Sequence, residues 1–131
     1  MLMAIRILIA DDSAIFREGL RAILEAHDGW EVCGEAVDGS EAIKKNRALT
    51  PHLIVMDMSM PYMTGIEAAC EILKEFPKAP IILLTLYLTR QLAEQARDIG
   101  IRGTLSKTAM DHLVRGIDSV LRGQERPFPI M

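Results

Sequence analysis

Residues 53–61 of the chain read Leu53-Ile54-Val55-Met56-Asp57-Met58-Ser59-Met60-Pro61. The stretch opens with four apolar residues, two of them β-branched, which predicts a short strand that is buried on both faces. Strands of this kind belong to parallel sheets that helices cover on both sides. The aspartate that follows would then lie at the carboxyl end of the strand, where ligands bind in open α/β folds.

Four more apolar runs have a similar character, and they are Ile5 to Ala10, Glu31 to Ala36, Ile81 to Leu84 and Ile101 to Leu105. Between the runs, apolar residues recur at helical spacing. The stripes are Phe16, Leu20, Ile23 and Leu24; Ala42, Ile43 and Leu49; Ile66, Cys70 and Leu73; Leu92, Ala96 and Ile99; and Leu113, Ile117, Val120 and Leu121. Thr108 and Asp111 are placed to cap the last helix. This alternation, joined by right-handed crossovers, predicts a doubly wound α/β fold with five parallel strands and helices on both faces.

The composition limits the class of protein. The 131 residues suit a single domain, with half of them apolar and a quarter charged. The formal net charge is −3 and no basic block is present, which argues against direct binding of nucleic acid. No apolar run approaches the ~20 residues of a membrane span, and the amino terminus lacks the pattern of a secretory signal. Cys33 and Cys70 have no metal-ligand spacing, so we expect reduced thiols and a cytoplasmic protein.

Reactive side chains stand at the ends of four predicted strands. Asp11 and Asp12 follow the first strand and Asp57 the third, while Thr85 follows the fourth and Lys107 the fifth. Each has an ordinary explanation when taken singly, since Asp pairs cap helices and lone Thr or Lys residues at strand ends are usually structural or solvated. The carboxyl ends of parallel strands share one edge of a doubly wound sheet, so we expect the five side chains to form one cluster.

Such a cluster is suited to phosphoryl chemistry. Three neighbouring carboxylates repel one another, and a divalent cation such as Mg²⁺, which prefers oxygen ligands, removes that conflict. A carboxylate can attack a phosphoryl group as a nucleophile. The transition state then needs a cation and hydrogen-bond donors around its oxygens, and the Lys107 ammonium and the Thr85 hydroxyl have those properties. The pattern therefore indicates an aspartate that accepts phosphate with Mg²⁺ as cofactor.

The sequence closely resembles the receiver domain of bacterial response regulators in two-component signalling. The matching stretches are Ile7 to Asp12, Val55 to Pro61 with Gly65, Leu84-Thr85, and Gly103 to Lys107, and the resemblance extends over residues 4–123. It implies a flavodoxin-like (CheY-like) fold, (βα)5, with a receiver domain at 1–123 and a tail or linker start at 124–131. Arg17 to Leu20, Val37 to Gly39 and Ala93 to Gly103 are most similar to the nitrate-response (NarL-type) branch, in which a DNA-binding domain usually follows the receiver.

The resemblance assigns roles to the acidic residues by their positions. Asp57 would be the phosphoacceptor and one of the metal ligands. Asp12 would bind Mg²⁺ directly, whereas Asp11 would act mostly through water. The backbone carbonyl of Ser59 would complete the ligands that the protein provides.

The resemblance also implies a switch and its partners. Lys107 would pair with the phosphoryl oxygens, and Thr85 would move to hydrogen-bond them, which would reshape the face formed by the fourth helix, the fifth strand and the last helix. The donor would be a phosphohistidine on a sensor histidine kinase, or a small molecule such as acetyl phosphate. The chain would modify itself and lose the group slowly, so it would not be a turnover enzyme. A homodimer through that face and control of transcription are the expected outputs, with no contact to a membrane.

Three positions depart from the family pattern. Leu86 takes the place of a small residue after the switch threonine, and its bulk would hinder a donor or slow hydrolysis. Thr104 stands where the family usually has an aromatic ring, and the sequence leaves open whether Tyr87 substitutes for that ring. The proline that often follows the lysine is absent, as is common in the NarL-type branch.

Three alternatives remain at this point. A pseudo-receiver that is never phosphorylated and serves as a protein-interaction module is supported by Leu86 and Thr104. A hydrolase of the haloacid-dehalogenase kind would carry a second aspartate two residues after the nucleophile, where this chain has Ser59. A receiver excised from a longer transcription factor would carry the same site.

Overall fold

Five strands alternate with five α-helices, and a short sixth strand follows, in the computed structural model, which describes residues 4–123 and 129–130. The strands are β1 (Ile5–Ala10), β2 (Trp30–Ala36), β3 (Leu53–Asp57), β4 (Ile81–Thr85), β5 (Gly103–Ser106) and β6 (Pro129–Ile130). The helices are α1 (Ala14–Glu25), α2 (Gly39–Leu49), α3 (Gly65–Glu75), α4 (Arg90–Ile99) and α5 (Leu113–Leu121). A 3-10 helix, Lys107–His112, precedes α5.

The strands form one parallel sheet in the order β2-β1-β3-β4-β5-β6. This order and the helical crossovers confirm the predicted doubly wound, flavodoxin-like fold. The sheet exceeds the predicted five strands by β6, whose two residues pair with Thr104 and Leu105 at the edge of β5. A two-residue strand has no periodicity to detect, and its proline, which weakens a strand prediction, is tolerated at a sheet edge.

Alternate residues of the central strands supply a core on each face of the sheet. In β3, Ile54 and Met56 belong to the core under α2, α3 and α4, whereas Leu53 and Val55 belong to the core under α1 and α5. All four side chains are at most 1% exposed. Double burial explains why the first four residues of β3 are all apolar. Because each such side chain contributes about 1.5–3 kcal/mol, the carboxyl ends of the strands are held firmly in place.

The start of α3 lies against the end of β3. Gly65 donates its backbone N–H to the carbonyl of Met58 at 2.8 Å. A Cβ on Gly65 would lie 2.3 Å from the carbonyl oxygen of Asp57, so only glycine fits there. Thr64 caps the helix in a reciprocal pair with Glu67, which fixes the entry of α3. This packing fixes Asp57 at the end of β3, where the loop to α3 begins.

The strand boundaries differ slightly from the predicted ones. β3 ends at Asp57 and β4 ends at Thr85, so both polar residues belong to the strands rather than to the loops after them. β5 spans Gly103–Ser106 instead of starting at Ile101, because the backbone N–H of Ile101 closes α4 by donating to the carbonyl of Ala96 at 3.0 Å. The polar residues nevertheless remain at one edge of the sheet.

Two predictions about the helices were wrong. Ile23 is 38% exposed and does not belong to the buried stripe of α1. Thr108 and Asp111 do not cap α5, because both lie inside the 3-10 helix. That helix begins early since the Ser106 hydroxyl accepts the N–H of Thr108 at 3.1 Å, and α5 then starts without a side-chain cap. None of the helices that the structure describes is long and apolar enough to cross a membrane.

Candidate functional site

The carboxyl edge of the sheet carries a cleft of about 190 Å³. β1 leads into Asp11, β3 ends at Asp57 and β5 leads into Lys107, and the two residues after β4 also line the cleft, so four strands contribute to it. The cleft is lined by Asp11, Asp12, Ser13, Asp57, Ser59, Leu86, Tyr87 and Lys107. Of the six residues that the sequence predicts for the site, five line this cleft, and Thr85 does not.

Lys107 bridges two buried carboxylates. Its Nζ donates to Oδ2 of Asp11 at 2.8 Å and lies 3.0 Å from Oδ1 of Asp57. The Lys107 side chain is 13% exposed, and those of Asp11 and Asp57 are 2% and 5% exposed. Burial alone lowers the pKa of Lys107, but its hydrogen bonds to the two carboxylates outweigh burial, so the pKa is raised. Lys107 is therefore a fixed cation at neutral pH.

Asp57 is an incompletely neutralised carboxylate. Burial raises the pKa of its carboxyl above the ordinary value, and the hydrogen bond from Lys107 opposes that rise. The Asp11 carboxylate raises the pKa further, and the backbone N–H of Ser59 lowers it. The pKa is raised on balance, which means that the charged form is less well stabilised than in water. A second cation close to Asp57 would stabilise the charged form of its carboxyl group.

The acidic cluster has the donor set that a divalent cation requires. Asp11, Asp12 and Asp57 each offer a carboxylate oxygen, and these oxygens lie within 4.8 Å of one another. All three are hard oxygen donors of the kind that Mg²⁺ prefers, and Lys107 is the one cation that contacts them among the residues that the structure describes. Three carboxylates facing one ammonium leave an excess of negative charge, so the cluster fits a divalent ion and could hold one.

A charged network supports the acidic loop, which is formed by residues 11–13 between β1 and α1, from the side of α1 and β2. Arg17 donates through Nη1 to the backbone carbonyl of Asp11 at 2.7 Å and through Nε to Glu35 at 2.8 Å. Arg21 also pairs with Glu35, at 2.8 Å. Arg17 thereby ties the end of β1 to β2. In the sequence, Arg17 contributes only to the family resemblance, and this contact was not predicted.

Phe16 was interpreted from the sequence only as part of a core stripe, yet it contacts the site. The centroid of its ring lies 4.1 Å from Nζ of Lys107. Ser13 places the ring, because its hydroxyl accepts the Phe16 N–H at 3.1 Å and caps α1. The sequence carries no signal for this contact, because a cap at Ser13 does not determine the direction in which the first turn of α1 leaves β1.

Thr85 is not among the residues that line the cleft, whereas the two residues after it are. Thr85 is 5% exposed, and its hydroxyl accepts the N–H of Tyr87 at 3.3 Å. Leu86 and Tyr87 line the cleft and are 59% and 83% exposed. Thr104 is 4% exposed. Because Tyr87 points largely to solvent, it does not fill the buried position of an aromatic ring next to Thr104.

Comparison with known sequences gives a consistent family. The sequence model described as "Response regulator receiver domain" matches residues 7–118. The response regulator UvrY of Escherichia coli O157:H7 is 39% identical over 121 residues, which are 92% of this chain and 56% of UvrY. The transcriptional regulatory protein YdfI of Bacillus subtilis is 38% identical over 119 residues, which are 90% of this chain and 55% of YdfI. The chain thus spans about half the length of these curated relatives.

Solved structures agree with the sequence relatives. A two-component response regulator of the LuxR family from Aurantimonas sp. SI85-9A1 superposes with a TM-score of 0.90 at 34% identity, over 95% of this chain and 88% of that one. The isolated receiver domain of RcsB from Salmonella enterica, determined with the phosphomimetic BeF3−, superposes with a TM-score of 0.85 at 29% identity, over 95% and 92% of the two chains. The family-model match over residues 7–118 includes every residue that lines the cleft.

Proposed function

The chain belongs to the response regulator receiver domain family, and from that premise we propose that Asp57 accepts a phosphoryl group from the phosphohistidine of a sensor histidine kinase. The observation that carries the proposal is the buried contact between Asp57 and Lys107, 3.0 Å apart, beside two further carboxylates. The proposed receiver occupies residues 1–123, and the proposed tail or linker start at 124–131 lies outside the described residues except for 129–130.

The proposed transfer is a displacement at phosphorus. A carboxylate oxygen of Asp57 forms the new O–P bond, the N–P bond of the phosphohistidine breaks, and the imidazole leaves with the bonding electron pair and takes up a proton from solvent. Negative charge spreads over the three equatorial oxygens. Lys107 already lies against Asp57, so its ammonium is in place to stabilise those oxygens. Later attack of water on phosphorus returns the carboxylate and inorganic phosphate, so the chain is a self-modifying switch.

The acidic residues would hold Mg²⁺ during this step, with Asp12, Asp57 and the carbonyl of Ser59 as direct ligands. The ion supplies positive charge that offsets the carboxylates and the incoming phosphoryl group. Both carboxylate oxygens of Asp11 are already engaged, Oδ1 by the Ser13 N–H at 2.8 Å and Oδ2 by Lys107. Because both of its carboxylate oxygens already have partners, Asp11 would contact the ion mainly through a bridging water.

Thr85 is the proposed relay to the surface. Its hydroxyl accepts a long hydrogen bond from the Tyr87 N–H, 3.3 Å, which is a weak restraint. A phosphoryl group on Asp57 would draw the hydroxyl away, and the loop after β4 would follow. The face formed by α4, β5 and α5 then changes shape and forms a homodimer. Several relatives are named as transcriptional regulatory proteins, which supports control of transcription as the output.

A pseudo-receiver is the second candidate function. Leu86 lies at the cleft and is 59% exposed, so its side chain stands in the path of a donor. Thr104 lacks the aromatic ring that usually responds to phosphorylation in such proteins. In this case the chain would bind a partner without ever being modified.

Incubation with acetyl phosphate and Mg²⁺, followed by intact mass measurement, distinguishes the two functions. The proposal predicts a mass increase of one phosphoryl group, and no increase for Asp57→Asn or without Mg²⁺. An unmodified wild-type chain with native circular dichroism would favour the interaction module. Leu86→Ala serves as a second variant, because opening the cleft should raise the rate if Leu86 hinders the donor.

A further inference from the structure

We propose that Phe16 is a positioning residue for phosphoryl transfer, and that the face of its ring holds the Lys107 ammonium beside Asp57. The inference rests on the proposed function, since it concerns how the same site is held ready. The ring centroid lies 4.1 Å from Nζ, well within the ~6 Å at which an ammonium is attracted to an aromatic face. Phe16 is half-buried and packs on the core under α1 and α5, so the ring itself has firm support.

The lysine needs such support because its side chain is long and flexible. Asp11 and Asp57 attract the ammonium from the cleft, at 2.8 and 3.0 Å. The ring contacts the same ammonium and so narrows the positions that Nζ can take. With two carboxylates and one aromatic face around it, the ammonium has little freedom to turn towards solvent.

The contacts form a closed circuit that begins and ends at one aspartate. Oδ1 of Asp11 accepts the Ser13 N–H at 2.8 Å, and the Ser13 hydroxyl accepts the Phe16 N–H at 3.1 Å. The Phe16 ring lies against Lys107, which donates to Oδ2 of Asp11 at 2.8 Å. The helix cap of α1 thus sets where the ring stands relative to the lysine. Phe16 therefore does more than fill the core, because it also joins the helix cap to the lysine.

An aromatic ring suits this position better than a third carboxylate would. The ring attracts the ammonium through its quadrupole and carries no net charge. It therefore adds no repulsion towards an incoming phosphoryl group and does not bind the lysine so strongly that the lysine cannot turn. When Asp57 becomes an acyl phosphate, its contact with Lys107 weakens. The ring then keeps the ammonium at the site while it pairs with the phosphoryl oxygens.

Fluorination of the ring tests the inference with almost no change in side-chain size. We would incorporate mono-, di- and trifluorophenylalanine at position 16 and measure the rate constant of Asp57 phosphorylation against acetyl phosphate concentration with saturating Mg²⁺. Each fluorine weakens the quadrupole, so the maximal rate should fall stepwise, by about 3- to 10-fold over the series. The apparent affinity for acetyl phosphate should change less. Phe16→Tyr should keep most of the rate, whereas Phe16→Leu should resemble the trifluoro variant.

Phe76 provides the matched control, because it is also a half-buried phenylalanine but lies beyond the end of α3, outside the cleft. The same series at Phe76 should leave the rate unchanged. In a Lys107→Met background, fluorination of Phe16 should have no further effect. A flat series at Phe16 in a chain that is phosphorylated normally would overturn the positioning role and leave the proposed function standing. A wild-type chain that takes up no phosphoryl group would overturn both.

Discussion

The Lys107 ammonium lies 3.0 Å from Oδ1 of Asp57, and both side chains are nearly enclosed. The same ammonium also bonds Asp11, so a single cation offsets two buried carboxylates. The contact joins the end of β3 to the residue after β5 across β4. The stability of the fold and the proposed phosphoryl transfer therefore involve the same atoms, and several measurements can separate the two contributions.

Replacement of Lys107 should be costly for the fold when no divalent ion is present. We expect Lys107→Met to lower the free energy of unfolding by about 2–4 kcal/mol, because it leaves Asp11 and Asp57 buried beside each other without a counter-charge. Urea denaturation in EDTA measures this loss. Added Mg²⁺ should raise the free energy of unfolding more in the variant than in the wild type.

Lys74→Met is the control for that experiment. Lys74 pairs with Glu71 on the exposed side of α3, and exposed pairs contribute little to stability. We expect no clear change in the midpoint of its urea transition. If Lys107→Met proved as harmless as Lys74→Met, the two carboxylates would not depend on the ammonium as described.

Gly65→Ala should disrupt the start of α3. The new Cβ would lie 2.3 Å from the carbonyl oxygen of Asp57, a backbone atom that cannot move without shifting β3. We expect a loss of about 3 kcal/mol in the free energy of unfolding, at the upper end of overpacking effects. The control is Gly19→Ala in α1, where a Cβ meets nothing within 4 Å and alanine should stabilise by about 0.5–1 kcal/mol. Equal effects at the two glycines would contradict this packing.

The ion pairs behind the acidic loop should give a pH-dependent contribution to stability. The hydrogen bond from Arg21 lowers the pKa of Glu35 from its ordinary 4.5, and burial opposes it while Arg17 adds to the lowering. We expect Glu35→Gln to lower the free energy of unfolding by about 1 kcal/mol at neutral pH. The folded protein binds the Glu35 proton less readily than the unfolded chain, so acidification favours unfolding.

The difference in the free energy of unfolding between wild type and Glu35→Gln should therefore reach its full size above pH 4.5, the ordinary pKa of Glu35. It should vanish as the pH falls through the lowered pKa of Glu35 in the folded protein. Thermal unfolding scans over that range measure it. Glu31→Gln on the same strand is the control, since Glu31 is exposed. A difference in the free energy of unfolding that grew on acidification would contradict the stabilisation of charged Glu35 by the two arginines.

The sequence was sufficient for the strands because β3 and its neighbours are buried on both faces, and such strands leave a continuous apolar pattern. The acidic cluster was also predictable, since parallel strands bring Asp11, Asp57 and Lys107 to one edge. The contacts of Phe16 and Arg17 were not predictable, because they depend on the direction in which the first turn of α1 leaves β1. The start of the 3-10 helix at Lys107 depends on one hydrogen bond of the Ser106 side chain, and β6 is too short to show any period.

The proposed relay through Thr85 predicts a local response. Binding of BeF3− with Mg²⁺ should shift the backbone amide resonances of residues 85–92, because the Thr85 hydroxyl would leave the Tyr87 N–H. Thr85→Val removes the hydroxyl at nearly the same volume, and it should still bind BeF3− while the shifts beyond Tyr87 shrink. Unchanged amide shifts in the wild type, with the ligand bound, would rule out this relay.

The central claim is that Asp57 is the residue that takes the phosphoryl group, and chemical mapping tests it most directly. Borohydride reduces an aspartyl phosphate to homoserine, so peptide sequencing by mass spectrometry after acetyl phosphate treatment locates the modified residue. If Asp57 is the phosphoacceptor, homoserine will be found at position 57 alone, and none will be found without Mg²⁺. Homoserine at position 11 or 12, or a fully unmodified chain, would contradict it.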